Sequence, residues 1–486
     1  MKSFGATQRD VYGGYFITVD SKIPIDLNRM TKAFEETVNR HGSFRTTFHW
    51  DDGKGRLLQN IHPSVNVHNT SIIDLSDEPN AYKKAYEMSL ANNVDPNFSL
   101  DKLPLISLVI FALGNGTYVL NITVHHIVTD DTSLGIFLSD LLQLYTHGPD
   151  SLPPVQLHYS DFSDWLIHTA DRHAELRDEQ LKYWSKKLDG VQPLSLTLAK
   201  PSEVEQSPIT QIKDQVDSSA LKRYNDYVAT TSATSFSAFF AAYNLLLYKY
   251  SAQNSFVVGT TVTQRSVAQL QEVVGFFTGT LPIRTTIGDE TTFADYSENF
   301  RYDLATDLSN DDVTLEDIVS QTKASSQDRS YFKHLFAPDD LNMRLATPSG
   351  ASDITTAAAV SLPNGKEKYE FLLTANYETG EVTLRFDNCL YTEGAARRFL
   401  AEYCDLIGTL GGNPHVRIGD VFVISNNERS HLVKEPPTPG SINPVENESR
   451  QLTETQVKQT TTTDQLRPFT WWASRLATAL ASNQVG

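Results

Sequence analysis

Only two cysteines, Cys389 and Cys404, occur in the 486 residues. Neither a disulfide framework nor a cysteine metal cluster can be built from them, and a reduced, cytoplasmic setting is expected. Long apolar runs are missing as well. The longest, Leu105 to Leu113 with Ser107 inside it, is far too short to cross a bilayer, so no membrane partner is expected. Met1-Lys2-Ser3-Phe4-Gly5-Ala6 has no apolar stretch after its charge, and no secretory signal is read there. Positive charge is in deficit: 41 Lys and Arg against 59 Asp and Glu, a formal net charge of −18. A phosphate backbone would repel such a chain, which argues against nucleic acid as a partner. The sequence also lacks a Gly-x-x-x-x-Gly-Lys-Ser/Thr loop, a Gly-x-Ser-x-Gly elbow and a Gly-x-Gly-x-x-Gly fingerprint, which removes the common nucleotide-binding and hydrolase readings. No solenoid repeat is visible.

What is present is a mixed α/β (α+β) pattern with 40% hydrophobic and 10% aromatic residues, enough for two or three domains with cores. Leu27, Met30, Phe34 and Val38 form a helical stripe over 27–41, and a second helix is expected over 81–90. Strands are predicted over 104–113 and 117–124, the latter alternating through Tyr118, Leu120, Ile122 and Val124. A helix marked by Leu134, Phe137, Leu138, Leu141 and Tyr145 follows, with Asp131, Thr132 or Ser133 as its candidate cap. One helix is expected over 159–188. The second half repeats the mixture: a helix over 233–250, strands over 255–262 and 279–286, and a hairpin of 369–376 with 381–386. A short helix over 268–274 and a closing one over 394–410 complete it. Asp51-Asp52-Gly53-Lys54-Gly55 reads as a hairpin turn. The expected organisation is an N-terminal lobe at 1–190, a C-terminal lobe at 191–430, and a polar linker with a short terminal helix at 431–486. That tail carries Trp471 and Trp472.

The chemistry concentrates in His125-His126-Ile127-Val128-Thr129-Asp130-Asp131. Strand parity puts His126 on the face of Leu120, Ile122 and Val124, and His125 on the other. Adjacent strand residues do not readily chelate one ion, and no second His/Cys cluster is nearby, so no metal is expected. A histidine at the end of an apolar strand, ahead of a helix N-terminus, is placed to act as a general base. The competing reading is a buried histidine satisfied by backbone. Asp130 is placed to hold the loop by pairing with an arginine.

This run resembles the His-His-x-x-x-Asp-Gly signature of nonribosomal-peptide-synthetase condensation domains and their chloramphenicol-acetyltransferase-like relatives. Other stretches match in order. Arg40-His41-Gly42-Ser43-Phe44-Arg45-Thr46-Thr47-Phe48 resembles the family's Arg-His-x-x-Leu-Arg-Thr-x-Phe. Tyr159-Ser160-Asp161-Phe162-Ser163-Asp164-Trp165 and Tyr183-Trp184 resemble two further motifs. Val258-Gly259-Thr260 and Val274-Gly275-Phe276-Phe277-Thr278-Gly279-Thr280-Leu281-Pro282 resemble the second-lobe strand and its Gly-Phe-Phe-Val-Asn-Thr-Leu-Pro.

The resemblance implies a pseudo-dimer of two acetyltransferase-like lobes with a central tunnel. It implies a condensation enzyme forming an amide or ester between a carrier-bound acyl thioester and an amine or hydroxyl nucleophile. The expected setting is secondary metabolism, with polyketide–peptide hybrid pathways of fungal type suggested. The partners would be an acyl or peptidyl carrier protein and a small-molecule acceptor. No cofactor would be bound covalently, since the substrate arrives on the partner's phosphopantetheine arm. His126 would be catalytic. His125 would support the site, and Asp130 would pair with a first-lobe arginine, Arg45 or otherwise Arg40. Asp131, Ser133, Thr278 and Gly279 would line the tunnel.

Two departures stand out: Asp131 replaces the signature glycine, and Thr278-Gly279 replace Val-Asn. They keep two alternatives in view, a degenerate domain that only docks carrier proteins and a free-standing acyl-CoA-dependent acyltransferase.

Overall fold

The computed structural model describes residues 12–423, apart from 54–55, 68–69, 93–97, 170–172, 197, 199–209, 322–330, 340–353 and 363–368. The linker and terminal helix expected at 431–486 therefore lie outside the described residues.

Two sheets organise the chain. The first is built from β1 (Tyr12–Ser21), β4 (Thr70–Asp74), β5 (Ile106–Gly114), β6 (Thr117–His125) and β11 (Ile354–Leu362), in the order β11-β1-β6-β5-β4. The strands of the second are β7 (Gln211–Gln215), β8 (Ser255–Thr263), β9 (Thr278–Thr286), β10 (His334–Pro338), β12 (Phe371–Ala375) and β13 (Glu381–Phe386). They run in the order β7-β13-β12-β10-β8-β9. β2 (Thr46–Asp51) and β3 (Arg56–Ile61) pair antiparallel as a separate two-stranded sheet, and part of the turn expected at 51–55 lies outside the described residues.

The two sheets share a four-strand plan. In the first, β1 and β6 pair antiparallel, β6 and β5 antiparallel, and β5 and β4 parallel. In the second, β7–β13, β13–β12 and β12–β10 repeat those three senses in the same order. The helices α3 (Asp131–His147) and α10 (Glu393–Gly412) each follow the hairpin of their sheet. The repetition of one plan in two halves is therefore written into the pairing itself.

The halves are interleaved in space. β11, from the second half, pairs antiparallel with β1 of the first sheet, and Ile354 and Ala359 enter the first core. In return, α5 (Ala174–Lys187) sends Trp184 into the second core. The Trp184 indole N–H donates to the Asn310 carbonyl at 2.8 Å. The Tyr183 hydroxyl donates to Asp307 on α8 (Phe293–Leu308).

The helices form where apolar spacing and caps agree. α1 (Leu27–Arg40) buries Met30, Phe34 and Val38, and Asp26 caps it by accepting from the Arg29 N–H. α7 (Ser235–Ser251) carries a Thr234/Ser237 capping box and is buried along most of its length, as an apolar central helix must be. The single helix expected over 159–188 is two, α4 (Tyr159–Thr169) and α5. The short helix expected over 268–274 is a 3₁₀ turn, Ala268–Leu270. Among the described residues no helix is long and apolar enough to cross a membrane.

Candidate active site

The site grows from the end of β6. That strand finishes at His125, and His126–Val128 form a 3₁₀ turn. Strand parity therefore stops one residue short of His126, and the turn sets its direction instead. His125 makes the turn: its Nδ1 accepts from the Ile127 N–H at 3.0 Å, while the Thr129 N–H donates to the His126 carbonyl at 3.3 Å. His125 is buried, and burial pushes its imidazole down to about 3, so it is neutral and can accept.

His126 sits deep in the protein yet keeps part of its surface accessible. Burial lowers its proton affinity below the ordinary 6.5; the carboxylate of Asp131 opposes this, and Arg385 on β13 reinforces it. The ring faces Gly13 on β1. A Cβ placed there would lie 3.0 Å from both Nε2 and Cε1 of His126 and 2.8 Å from Cε2 of Tyr15. Only glycine leaves the imidazole that room. The rings of Tyr15 and His126 meet edge-on, with centroids 6.5 Å apart, and the Tyr15 hydroxyl donates to Asp131 Oδ1 at 2.9 Å. Gly13 and Tyr15 escaped sequence reasoning, since nothing in Tyr12-Gly13-Gly14-Tyr15 marks them as neighbours of a histidine more than a hundred residues away.

The expected partner of Asp130 was Arg45 or Arg40, and the structure corrects this. Arg45 is engaged by carbonyls, donating to Asn39 at 2.9 Å and to His62, which ties the end of α1 to the hairpin. Arg40 pairs with Asp140 at 2.9 Å. Asp130 is held by Arg265 of the second half, with NH2 3.1 Å from Oδ1 and both side chains almost fully buried. Arg265 reaches there because its NH1 donates to the Leu270 and Val273 carbonyls, each at 2.6 Å, and its guanidinium lies 4.1 Å over the Phe277 ring.

Asp130 is also the cap of α3, where Asp131, Thr132 or Ser133 was expected. It accepts from the Ser133 N–H at 2.7 Å and from the Phe277 N–H at 3.0 Å. Ser133, expected to line a tunnel, is fully buried. Its hydroxyl donates to the Gly275 carbonyl at 2.7 Å and accepts from Arg265 at 2.7 Å. Nearby, the Tyr159 hydroxyl donates to the Phe276 carbonyl at 2.6 Å, and a Cβ on Gly275 would sit 2.1 Å from the Tyr159 ring. The motif residues are thus ties between the two halves. Asp131 is exposed, and Thr278 and Gly279 are half-buried opposite Thr263 and Val262. Among the described residues no group of three or more His, Cys, Asp or Glu is arranged to hold a metal.

In the second half, Thr392 caps α10 as Asp130 caps α3. Four residues ahead of Thr392 stands Asn388, where the first half has His126. The repeated plan carries the histidine once.

The condensation-domain family model matches residues 15–433, and the chain belongs to that family. Condensation domains are acyltransferases that form amide bonds in nonribosomal peptide synthetases. Surfactin synthase subunit 2 of Bacillus subtilis (strain 168) is 26% identical over 421 residues, covering 85% of this chain and 11% of that protein. Tyrocidine synthase 3 of Brevibacillus parabrevis is 27% identical over 422 residues, covering 84% of this chain and 6% of that protein. The chain thus spans only 11% and 6% of the length of these two relatives. The first condensation domain of the calcium-dependent antibiotic synthetase, in complex with a substrate analogue, shares the fold. Its TM-score is 0.74 at 18% identity, over 87% of this chain and 96% of that one.

Buried neutral histidines make the fold acid-sensitive. His125 and His334 on β10 are fully buried, with values pushed down by burial to about 3 and about 4. The unfolded chain binds these protons near the ordinary 6.5 while the native state does not, so stability falls as pH drops below 6.5. The slope approaches about 1.4 kcal/mol per pH unit for each histidine until its folded value is passed. His334→Leu is expected to flatten the pH dependence of urea-unfolding free energy between pH 5 and pH 7. Equal slopes in the two proteins would remove His334 from this account.

Proposed function

We propose that the chain condenses an acyl group, delivered as a thioester on a carrier protein's phosphopantetheine arm, with the amino group of an acceptor, and that His126 handles the proton. The observation that carries this is His126 itself: partly accessible, held neutral by burial, and packed with its ring against Gly13. The acceptor nitrogen attacks the thioester carbonyl, the C–N bond forms, and the C–S bond breaks. His126 takes a proton from the nitrogen and returns one to the departing sulfur, so an amide and a thiol leave and the imidazole is regenerated. Donor and acceptor are held by the protein and its carriers, so proximity supplies much of the acceleration without an acyl-enzyme. His125, Asp130 and Arg265 keep the turn and the two halves in place, and Asp131, Thr278 and Gly279 are the residues proposed to border the substrate path.

The test supplies acetyl-, octanoyl- and aminoacyl-loaded carrier protein, or the matching CoA esters, with a panel of amine and alcohol acceptors, and reads product by mass spectrometry. Amide formed from loaded carrier and far less from the CoA ester is the expected result. Equal turnover of both donors would favour a free-standing acyl-CoA transferase. Carrier binding without product from any pair would leave a docking domain.

A further inference from the structure

Two adjacent aspartates follow the histidine turn, and they do opposite work. Asp130 is buried, its charge compensated by Arg265 and its oxygens occupied by the Ser133 and Phe277 N–H groups. Asp131 is exposed, and among the described residues it forms no ion pair with lysine or arginine. One of its oxygens is pinned by the Tyr15 hydroxyl at 2.9 Å. Tyr15 is itself immobile: fully buried, in the middle strand between β11 and β6, with its ring edge against His126. Gly13, on the same face of β1, lets the tyrosine and histidine rings close on one another. The carboxylate is thereby fixed by a strand, through a tyrosine whose ring edge meets His126, and is not left to swing from a helix end.

We propose that Asp131, held in place by Tyr15, balances the positive charge that the His126 imidazole gains during acyl transfer. This rests on reading His126 as the group that takes the acceptor's proton.

The electrostatics agree with the geometry. Among the charges acting on His126, Asp131 is the largest favouring the imidazolium, and Asp130 adds a smaller pull. Arg385 from β13 acts the other way, and His125 beneath the turn is neutral. Burial and the Asp131 carboxylate both raise the Tyr15 phenol well above its ordinary range, so it stays a proton donor to Asp131 throughout. Position 131, a glycine in the family signature, here offers a second charge to the catalytic step. The attacking nitrogen loses a proton as its bond to the carbonyl carbon forms. That proton creates an imidazolium, which a fixed anion stabilises without reorganisation.

The experiment reads His126 directly. In the whole chain carrying ¹³C-labelled histidine, the His126 ring signal, assigned by its loss in His126→Ala, is titrated by NMR without substrate. Asp131→Asn is expected to move the midpoint to lower pH, and Asp131→Glu to restore most of it. Tyr15→Phe is expected to move it in the same direction, and Asp131→Asn/Tyr15→Phe no further than Asp131→Asn alone, because the tyrosine acts through the carboxylate. In turnover assays the acid limb of kcat follows the same order while KM is unchanged. A midpoint identical in wild type and Asp131→Asn overturns the proposal, as does full additivity of the two substitutions. Should the midpoint move as expected while no loaded carrier gives product, the condensation reading fails and the charge coupling stands.

Discussion

Replacing His126 with alanine is expected to lower kcat by about 10²–10⁴-fold, the usual contribution of a general base, with little change in thermal stability. The asymmetry follows from where the side chain sits. His126 keeps part of its surface accessible, so its removal empties no fully enclosed core. His125→Ala is expected to behave in the opposite way. It removes a buried acceptor from the Ile127 N–H, costing about 1–3 kcal/mol, and activity is lost because the turn loosens. The pair of measurements, kcat and unfolding free energy on both variants, separates chemistry from scaffold. The pH profile gives a further check. Burial places the His126 value below 6.5, so the neutral base predominates above that pH, and activity falls as pH drops through the lowered value. A His126→Ala enzyme within about threefold of wild type, far short of a general base's contribution, would remove the residue from the mechanism.

The second large effect is expected at a site that never touches substrate. Arg265→Ala leaves the Asp130 carboxylate buried without its cation. Breaking a buried ion pair in this way costs about 3–5 kcal/mol, a large share of the roughly 5–15 kcal/mol that typically holds a domain together. Arg265 also ties down the Leu270 and Val273 carbonyls and covers Phe277. Its loss therefore unfastens the segment 265–277 from the first half and moves the cap of α3, two residues from which His126's turn ends. Urea unfolding and turnover should both suffer. Arg45→Ala, the partner expected from sequence, is predicted to cost about 1–2 kcal/mol, the loss of hydrogen bonds to backbone carbonyls. Equal costs for the two arginines would contradict the assignment of Arg265 as the partner of Asp130.

Much of the fold was legible in the chain. α1 and α3 announce themselves by apolar residues three and four apart, α7 by its apolar run, and β6 by alternation. β1 did not: Gly13 and Gly14 interrupt its pattern, and it is a strand because β11 and β6 flank it. β11, Ile-Thr-Thr-Ala-Ala-Ala-Val-Ser-Leu, is too weakly apolar to declare itself, and it is held as a strand by completing the other half's sheet. The site divides similarly. His126 was visible from its motif, whereas its surroundings were assembled from β1, from the 265–277 segment and from β13.

What the sequence by itself determined is what neighbouring residues can encode: the period of the helices and strands and the histidine run that ends β6. These depend on separations of two to four residues, and so they survive in any fold. Only the tertiary structure decided which arginine neutralises Asp130, that Ser133 is a buried tie, and that Asp131 answers to Tyr15. A buried charge takes the cation that packing delivers to it already desolvated and backed by other contacts. Arg265 arrives so prepared, while Arg45 is already committed elsewhere.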